Sequence, residues 1–382
     1  MNKNKKTVGL ITIHNIINFG SALQTYALSY VIEQLGYNCK VINYKYPNYY
    51  HLNFLTENYK PAFDFKTLCR TLINNILNIF IGSSEKKQKE KFRRFLECHL
   101  QLTKEYGTRE EIHKDPPLCD IYVTGSDQVW NPRYNHEDTT FLLSFVEESK
   151  KKIAYSASFG GMDMPKNYYS LYKKYISSYL YISLREESGV KLVKELTGKD
   201  SVNVLDPSLL ISGSEWSSLA IKPQIKEPYI LCYLLSYTFT PFPYAYDLLD
   251  YIQKIMKCKV VLIGGANKLV FRHDYILKND IGPEEFLGLF DNAAFVLTSS
   301  FHGTAFAINF NKPFYSIIND QKTTDDRQLS VMRRIGIENR GIVKGSPMPA
   351  ESELSMDYTV ANQKLQKWRE VSLLFLKNAL ND

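Results

Sequence analysis

Ala294-Phe295-Val296-Leu297-Thr298-Ser299-Ser300-Phe301-His302-Gly303-Thr304 is the stretch on which the fold turns. An apolar run stops at Leu297, small hydroxyl residues follow, and a helical pattern starts around a histidine and a glycine. A strand that turns directly into a helix exposes unpaired backbone N–H groups beside a titratable ring, an arrangement suited to holding an anion. After the next apolar run, Pro313 to Ile318, the loop Asn319-Asp320-Gln321-Lys322-Thr323 carries a cation. Both loops follow strands. In an open parallel sheet they emerge on the same edge, where such folds bind ligands.

Outward from this stretch the alternation of strand and helix continues in both directions. Upstream in the second half lie a strand at Tyr229–Leu235, a helix at Ala245–Met256, a strand at Lys259–Ile263, a Gly264-Gly265 turn and a helix near Pro283–Asp291. The first half opens with a strand at Lys6–His14, the loop Asn15–Ser21, a helix from about Ala22 to Leu35 ended by Gly36, and a strand at Cys39–Tyr44, together a βαβ unit. Residues 51–114 read as a helical insertion. Strands then resume, each ending in a small-residue loop: Gly125–Pro132, Phe159-Gly160-Gly161, the turn opening at Arg185, and Asp206-Pro207-Ser208.

The fold expected is α/β, two doubly wound Rossmann-like lobes with a cleft between them. The boundaries are 1–211 for the first lobe, with its insertion at about 51–114, and 212–228 for a Ser, Gly, Pro and Lys rich linker. The second lobe takes 229–358, and 359–382 is a terminal amphipathic helix expected to pack back on the first lobe.

With 44% hydrophobic and 23% charged residues, and no apolar segment near the ~20 residues of a spanning helix, the chain reads as globular. The basic N-terminus precedes an apolar run too short for a signal peptide, so a cytoplasmic location is expected. The six cysteines are scattered without C-x-x-C spacing, which argues against a zinc site or disulfide framework, and no metal is called for. The net charge is +7. Its clearest cluster, Lys86 to Arg94, is either a solvated helix face or a peripheral contact with acidic lipid, and no nucleic-acid motif accompanies it.

Taken in order, Asn18-Phe19-Gly20-Ser21-Ala22-Leu23-Gln24, Gly125-Ser126-Asp127-Gln128-Val129-Trp130-Asn131, Ser183-Leu184-Arg185-Glu186-Glu187-Ser188, Leu205-Asp206-Pro207-Ser208 and Ser299-Ser300-Phe301-His302-Gly303 resemble the polysaccharide pyruvyl transferase family. The resemblance implies a GT-B-like architecture and transfer of pyruvate from phosphoenolpyruvate (PEP) to a saccharide as a ketal, with phosphate released. It implies PEP as co-substrate without a further cofactor, and an acceptor on a surface polysaccharide or its lipid-linked precursor. It places Arg185, His302 and Lys322 on PEP, with Glu186 standing where the family often has aspartate.

Around these, Ser300, Gly303, Asn18 and Gly20 are candidates for PEP binding, and Asp127, Gln128 and Trp130 for the acceptor. His302 suits proton transfer or phosphate binding, and Asp127 is the other candidate for proton transfer. Each has a plainer alternative: Arg185 as an ion-pair partner of Asp206, Asn18 and Gly20 as shapers of a turn, Trp130 as packing, Lys322 as an exposed loop residue. His14 reads as structural. Two other functions stay open: a glycosyltransferase of the same architecture using a nucleotide sugar, and a non-catalytic binding protein for polysaccharide assembly.

Overall fold

The computed structural model describes residues 5–45, 84–161, 164–236, 239–264, 275–320 and 327–382. The apolar runs become strands buried on both faces, as parallel sheets covered by helices require. Strands β1 (Thr7–Ile11), β2 (Asn38–Val41), β3 (Ile121–Thr124), β4 (Lys151–Ala157), β5 (Tyr181–Leu184) and β6 (Val202–Asn203) form one sheet in the order β2-β1-β3-β4-β5-β6. Strands β7 (Tyr229–Tyr233), β8 (Lys259–Ile263), β9 (Tyr275–Lys278), β10 (Phe295–Thr298), β11 (Phe314–Ile318) and β12 (Gly341–Val343) form the second, in the order β12-β11-β10-β7-β8-β9. Every pairing is parallel. The two Rossmann-like lobes are therefore as expected.

Strand order reverses between β1 and β3 in the first sheet and between β7 and β10 in the second. Crevices form outside the carboxyl ends of strands at such reversals. The loops opening there are Asn15–Asn18, Gly125–Asp127 and Ser299–Ser300. The first and third are held by local capping. Asn18 Oδ1 accepts from the Ser21 N–H at 3.2 Å and starts the helix Phe19–Gln34. Ser300 Oγ accepts from the Gly303 N–H at 3.3 Å and starts the helix Phe301–Asn309.

One apolar core runs across both lobes. Phe19 of the first lobe stacks on Phe286 of the second, ring centroids 4.4 Å apart and 11° from parallel. Trp216 bridges Tyr26 and Phe306 at 5.7 and 5.4 Å. Trp216 belongs to the stretch expected to be a linker, and here the structure differs. Ser212 and Glu215 make a reciprocal capping box for the helix Gly213–Leu219, whose tryptophan is fully buried. Packing, rather than chain flexibility, joins the lobes at this point.

Of the expected insertion, 51–83 lie outside the described residues. Residues 84–99 are helical, and so is Arg109–Lys114. Between them the chain runs extended along the continuation of β2, bridging Val41 to Leu102 and Tyr44 to Tyr106. The helix Thr359–Asn381 lies against both lobes. Ser372 Oγ accepts from the Leu205 N–H at 3.0 Å and Trp368 Nε1 donates to the Asn203 carbonyl at 3.4 Å. Just before it, the Tyr358 hydroxyl donates to the Lys312 carbonyl at 2.7 Å. Among the described residues no helix is long and apolar enough to cross a membrane.

Candidate active site

Loops following β3, β5, β6 and β10 meet at one carboxylate, Asp206, which is fully buried. Its Oδ1 accepts from the backbone N–H and the hydroxyl of Ser208 at 2.9 and 2.6 Å. Its Oδ2 accepts from the Ser126 hydroxyl at 2.7 Å and the Arg185 guanidinium at 3.1 Å. The same oxygen lies 3.8 Å from His302 Nε2. Arg185 and His302, remote in sequence and in different lobes, thus share one anionic neighbour.

Arg185 is 1% exposed, its guanidinium carbon 4.4 Å over the Phe301 ring. Nη2 lies 3.7 Å from Asp127 Oδ1, and Nε and Nη2 have no hydrogen-bond partner among the described residues. A buried guanidinium with two unused donors is poised for a further acceptor. Asp127 sits at φ 71°, a left-handed conformation that aspartate tolerates better than most residues. This conformation places its carboxylate beside the first helix, where Oδ2 accepts from Ser21 Oγ at 2.6 Å and Oδ1 from the Gln128 N–H at 2.9 Å.

His302 is the second residue of its helix. Its ring rests on the backbone of Gly20 in the opposite lobe, so closely that a Cβ there would stand 2.0 Å from Nδ1. Gly20 is glycine because of that approach, which supports its place in the site. Burial lowers the imidazole pKa, and the positive charges of Arg185 and Arg327 add to this against the opposing pull of Asp206 and Asp127. The ring is therefore neutral near pH 7. Burial also raises the Asp206 pKa, but at the acid pH where this carboxyl titrates a protonated His302, the Arg185 charge and the bonds from Ser208 and Ser126 outweigh it and hold the carboxyl below its usual range. The dominant neighbour of Arg185 is thus a true carboxylate.

Glu186 presents the opposite case. Burial pushes its carboxyl up to about 7 despite the neighbouring Arg185 and Arg327 charges. Its Oε1 accepts from the Phe159 N–H at 2.8 Å, while Oε2 has no partner among the described residues. It braces the glycine loop after β4 from beneath.

Several expected site residues take other places. Trp130 is fully buried, packed between Phe159 and Tyr179 with Nε1 donating to the Phe141 carbonyl. It offers no face to a sugar, and its assignment to the acceptor is corrected to core packing. Gln128 Oε1 accepts from Asn131 Nδ2 at 2.7 Å and abuts Gly160, so its amide oxygen is held within the first lobe. Gly303 gives its N–H to the Ser300 cap, and a Cβ on it would lie 2.2 Å from Thr298 Oγ1. Its glycine serves helix-on-strand packing. The first-turn N–H groups left over for a ligand are those of Phe301 and His302, which a helix cannot satisfy internally.

Lys322 lies outside the described residues. His14 is buried with both ring nitrogens engaged, by Thr12 and Asn43. Residues not singled out beforehand are Ser21, Ser126, Phe301 and Arg327. Ser21 and Ser126 stand inside quoted motifs, and their hydroxyls were the available signal. The Arg327 charge reaches both Glu186 and His302, which no local pattern announces.

Among solved structures the chain resembles a UDP-N-acetylglucosamine 2-epimerase from Listeria monocytogenes, with TM-score 0.51 and 12% identity over 98% of this chain and 90% of that one. It also resembles a UDP-GlcNAc 2-epimerase from Methanocaldococcus jannaschii in complex with UDP-GlcNAc and UDP, at TM-score 0.49, 14% identity, and coverage of 97% and 92%. The UGT89C1 structure from Arabidopsis thaliana complexed with UDP-L-rhamnose matches at TM-score 0.43 and 11% identity, covering 98% and 94%. At such identities the likeness concerns the two-lobed, GT-B-like fold alone. No curated protein sequence matches the chain. The profile of the family described as Polysaccharide pyruvyl transferase matches residues 18–321, a span holding the Asn18–Ser21, Ser126–Asp127, Arg185, Asp206 and His302 elements that meet at the buried carboxylate, and the chain belongs to the polysaccharide pyruvyl transferase family.

Proposed function

We propose that this chain transfers the pyruvyl group of PEP to two hydroxyls of a saccharide, forming a ketal and releasing phosphate. The observation that carries it is the convergence of Arg185 and His302 from separate lobes on Asp206, with Arg185 Nε and Nη2 and His302 Nε2 all lacking hydrogen-bond partners among the described residues. Three buried donor-capable nitrogens gathered about one carboxylate suit a small ligand dense in anionic oxygens. A PEP molecule carries a carboxylate and a phosphate on adjacent carbons. The planar fork of Arg185 fits the carboxylate or the phosphate in bidentate fashion, and the free N–H groups of Phe301 and His302 favour the other anion. Lys322 is proposed as a further cation on the phosphate, and Asn18 as a neighbour holding the turn against it.

Burial favours the neutral ring of His302. An anion arriving beside it favours the protonated form, so substrate binding itself loads the ring with a proton. His302 then gives that proton to the PEP methylene carbon, making a methyl group and an electrophilic neighbour. An acceptor hydroxyl attacks that neighbour and loses its proton to a base, the role proposed for Asp127. The carbon–oxygen bond to phosphate breaks, and the second hydroxyl closes the ketal as its proton passes to the departing phosphate. With Arg185 and His302 only 1% and 8% exposed, PEP enters when the lobes part at the contact between His302 and Gly20. The reaction needs no redox step and proceeds in the cytoplasm, with the acceptor presented at the inner face of the membrane if it is lipid-linked.

Thermal stabilisation tests the donor: PEP raises the melting temperature and UDP or GDP does not. Stabilisation by UDP with none by PEP transfers the protein to nucleotide-sugar chemistry. Comparing His302→Gln with His302→Ala separates roles. Binding of PEP with loss of turnover in both marks proton transfer, and unimpaired turnover in both removes His302 from the chemistry.

A further inference from the structure

Beside the closed centre, on the first lobe, lies an open groove of about 690 Å³. Its walls are the loop Asn15–Asn18, Asn43 at the end of β2, one face of the helix 84–99, and the extended run through Leu102. The groove and the centre share an element: Asn18, which lines the groove, caps the helix whose first turn carries Gly20 against His302 and Ser21 against Asp127. The groove thus adjoins the site through Asn18.

Its chemistry differs from that of the centre. The floor is apolar, with Ile16, Phe92, Leu96 and Leu102. Above it Asn15 Nδ2 donates to Asn43 Oδ1 at 3.3 Å, an oxygen that also faces His14 Nε2 at 3.3 Å. The rim charges balance, Lys89, Arg93 and Lys45 against Glu90, Glu97 and Glu105. Arg93 binds Glu97 at 2.6 Å and Glu90 at 2.5 Å, and Glu105 is paired with Lys45 at 2.7 Å. Neutral amides over apolar surface, with the charges cancelled, repel no uncharged polyol and give a polyanion little to hold. A pyranose ring has that complementarity: apolar C–H faces for the floor and hydroxyls for the amides. The volume is of the order that small-ligand sites occupy, roughly 300–1,000 Å³, and exceeds what a single PEP molecule fills.

We infer that the Asn15–Asn43 groove is the acceptor subsite, binding one or two neutral pyranose rings so that the terminal ring's hydroxyls reach the centre past Asn18. This rests on the pyruvyl-transfer reading and moves the acceptor away from Trp130, which is buried. It names the acceptor class as an uncharged saccharide end, with any phosphate of a lipid-linked carrier lying beyond the groove.

The test uses the whole protein and a defined probe: an equimolar set of methyl pyranosides with gluco, galacto, manno and N-acetylgluco configuration, observed by saturation-transfer NMR. Two groove variants are compared with the parent, Asn15→Ala and Ile17→Arg; Ile17 is 43% exposed, so the second introduces bulk and charge without disturbing a core. The expected result is transfer to at least one pyranoside in the parent, reduced tenfold or more in both variants, while the melting-temperature shift caused by PEP is unchanged in all three. Equal transfer in parent and variants, or no transfer to any pyranoside in the parent, overturns the groove assignment. The PEP shift is read separately. Its absence from the parent alongside groove-dependent pyranoside binding rejects the donor and keeps the groove, so the two failures are distinguishable.

Discussion

Replacing Gly20 by alanine probes the contact on which the lobe-to-lobe geometry depends. A Cβ at this position would stand 2.0 Å from His302 Nδ1, 2.2 Å from Cγ and 2.6 Å from Cε1, whereas non-bonded heavy atoms settle at about 3.5–4.0 Å. The ring must retreat by roughly 1.5 Å, since Gly20 is fixed in the first turn of a buried helix. Misplacing a reacting group by about 1 Å lowers rate by about 10²-fold, so kcat for acceptor-dependent phosphate release falls at least that far.

Stability changes much less. Alanine gains up to about 1 kcal/mol over glycine in a helix, and overpacking costs about 1–3 kcal/mol, so the melting temperature drops by only a few degrees. A second readout is the imidazole titration followed by NMR. As the ring leaves its buried place, its lowered pKa climbs back toward about 6.5. Turnover within twofold of the parent, with an unchanged ring pKa, would refute the claim that His302 acts from its position on Gly20.

Two further substitutions address the carboxylates. Asp206→Asn removes the charge that holds Arg185 at 3.1 Å; breaking a buried pair in this way costs about 3–5 kcal/mol, to be read as a lower denaturant midpoint. It also takes from His302 its largest pKa-raising neighbour, so the folded imidazole pKa falls further. Because that pKa already lies below the unfolded value, the neutral ring contributes stability above about pH 6.5 that is lost as pH falls through the folded value, and the substitution deepens the loss. Glu186→Gln works in the reverse sense. The wild-type carboxyl, raised from 4.5 to about 7, contributes stability below pH 4.5 that disappears as pH rises through 7, amounting to about 3 kcal/mol at about 1.4 kcal/mol per unit. The variant therefore gains on the wild type between pH 5 and pH 8 in matched urea titrations, and parallel curves across that range would show that Glu186 does not titrate there.

The elements legible in the sequence are those whose signal is local. Apolar runs such as Ala294–Leu297 and Tyr229–Tyr233 could only be strands covered on both faces, and Asn18 and Ser300 announce helix starts by side-chain chemistry that operates within three residues. The meeting of Arg185 with His302 was implied by the family resemblance and follows physically from both loops leaving the carboxyl edges of their sheets. What escaped depends on tertiary context. A tryptophan on a loop looks the same in sequence whether it faces a sugar or, as Trp130 does, the gap between Phe159 and Tyr179. Gly303 looked like a ligand-side glycine because the Thr298 hydroxyl that excludes a Cβ lies on the neighbouring strand. The polar stretch 212–228 hid a helix anchored by one buried tryptophan, and β9 and β12, at four and three residues, are too short to show a period.

The chain passes between the lobes twice, through 204–228 and again through 344–358. Arg369, on the helix after the second passage, ties the two crossings together, its Nε donating to the Leu209 carbonyl at 2.9 Å and its Nη2 to Asn309 Oδ1 at 3.4 Å. A door hung on two adjacent pins swings and does not slide. Two tethers so tied limit sliding of one lobe past the other and favour the register in which the histidine of one lobe meets the glycine of the other.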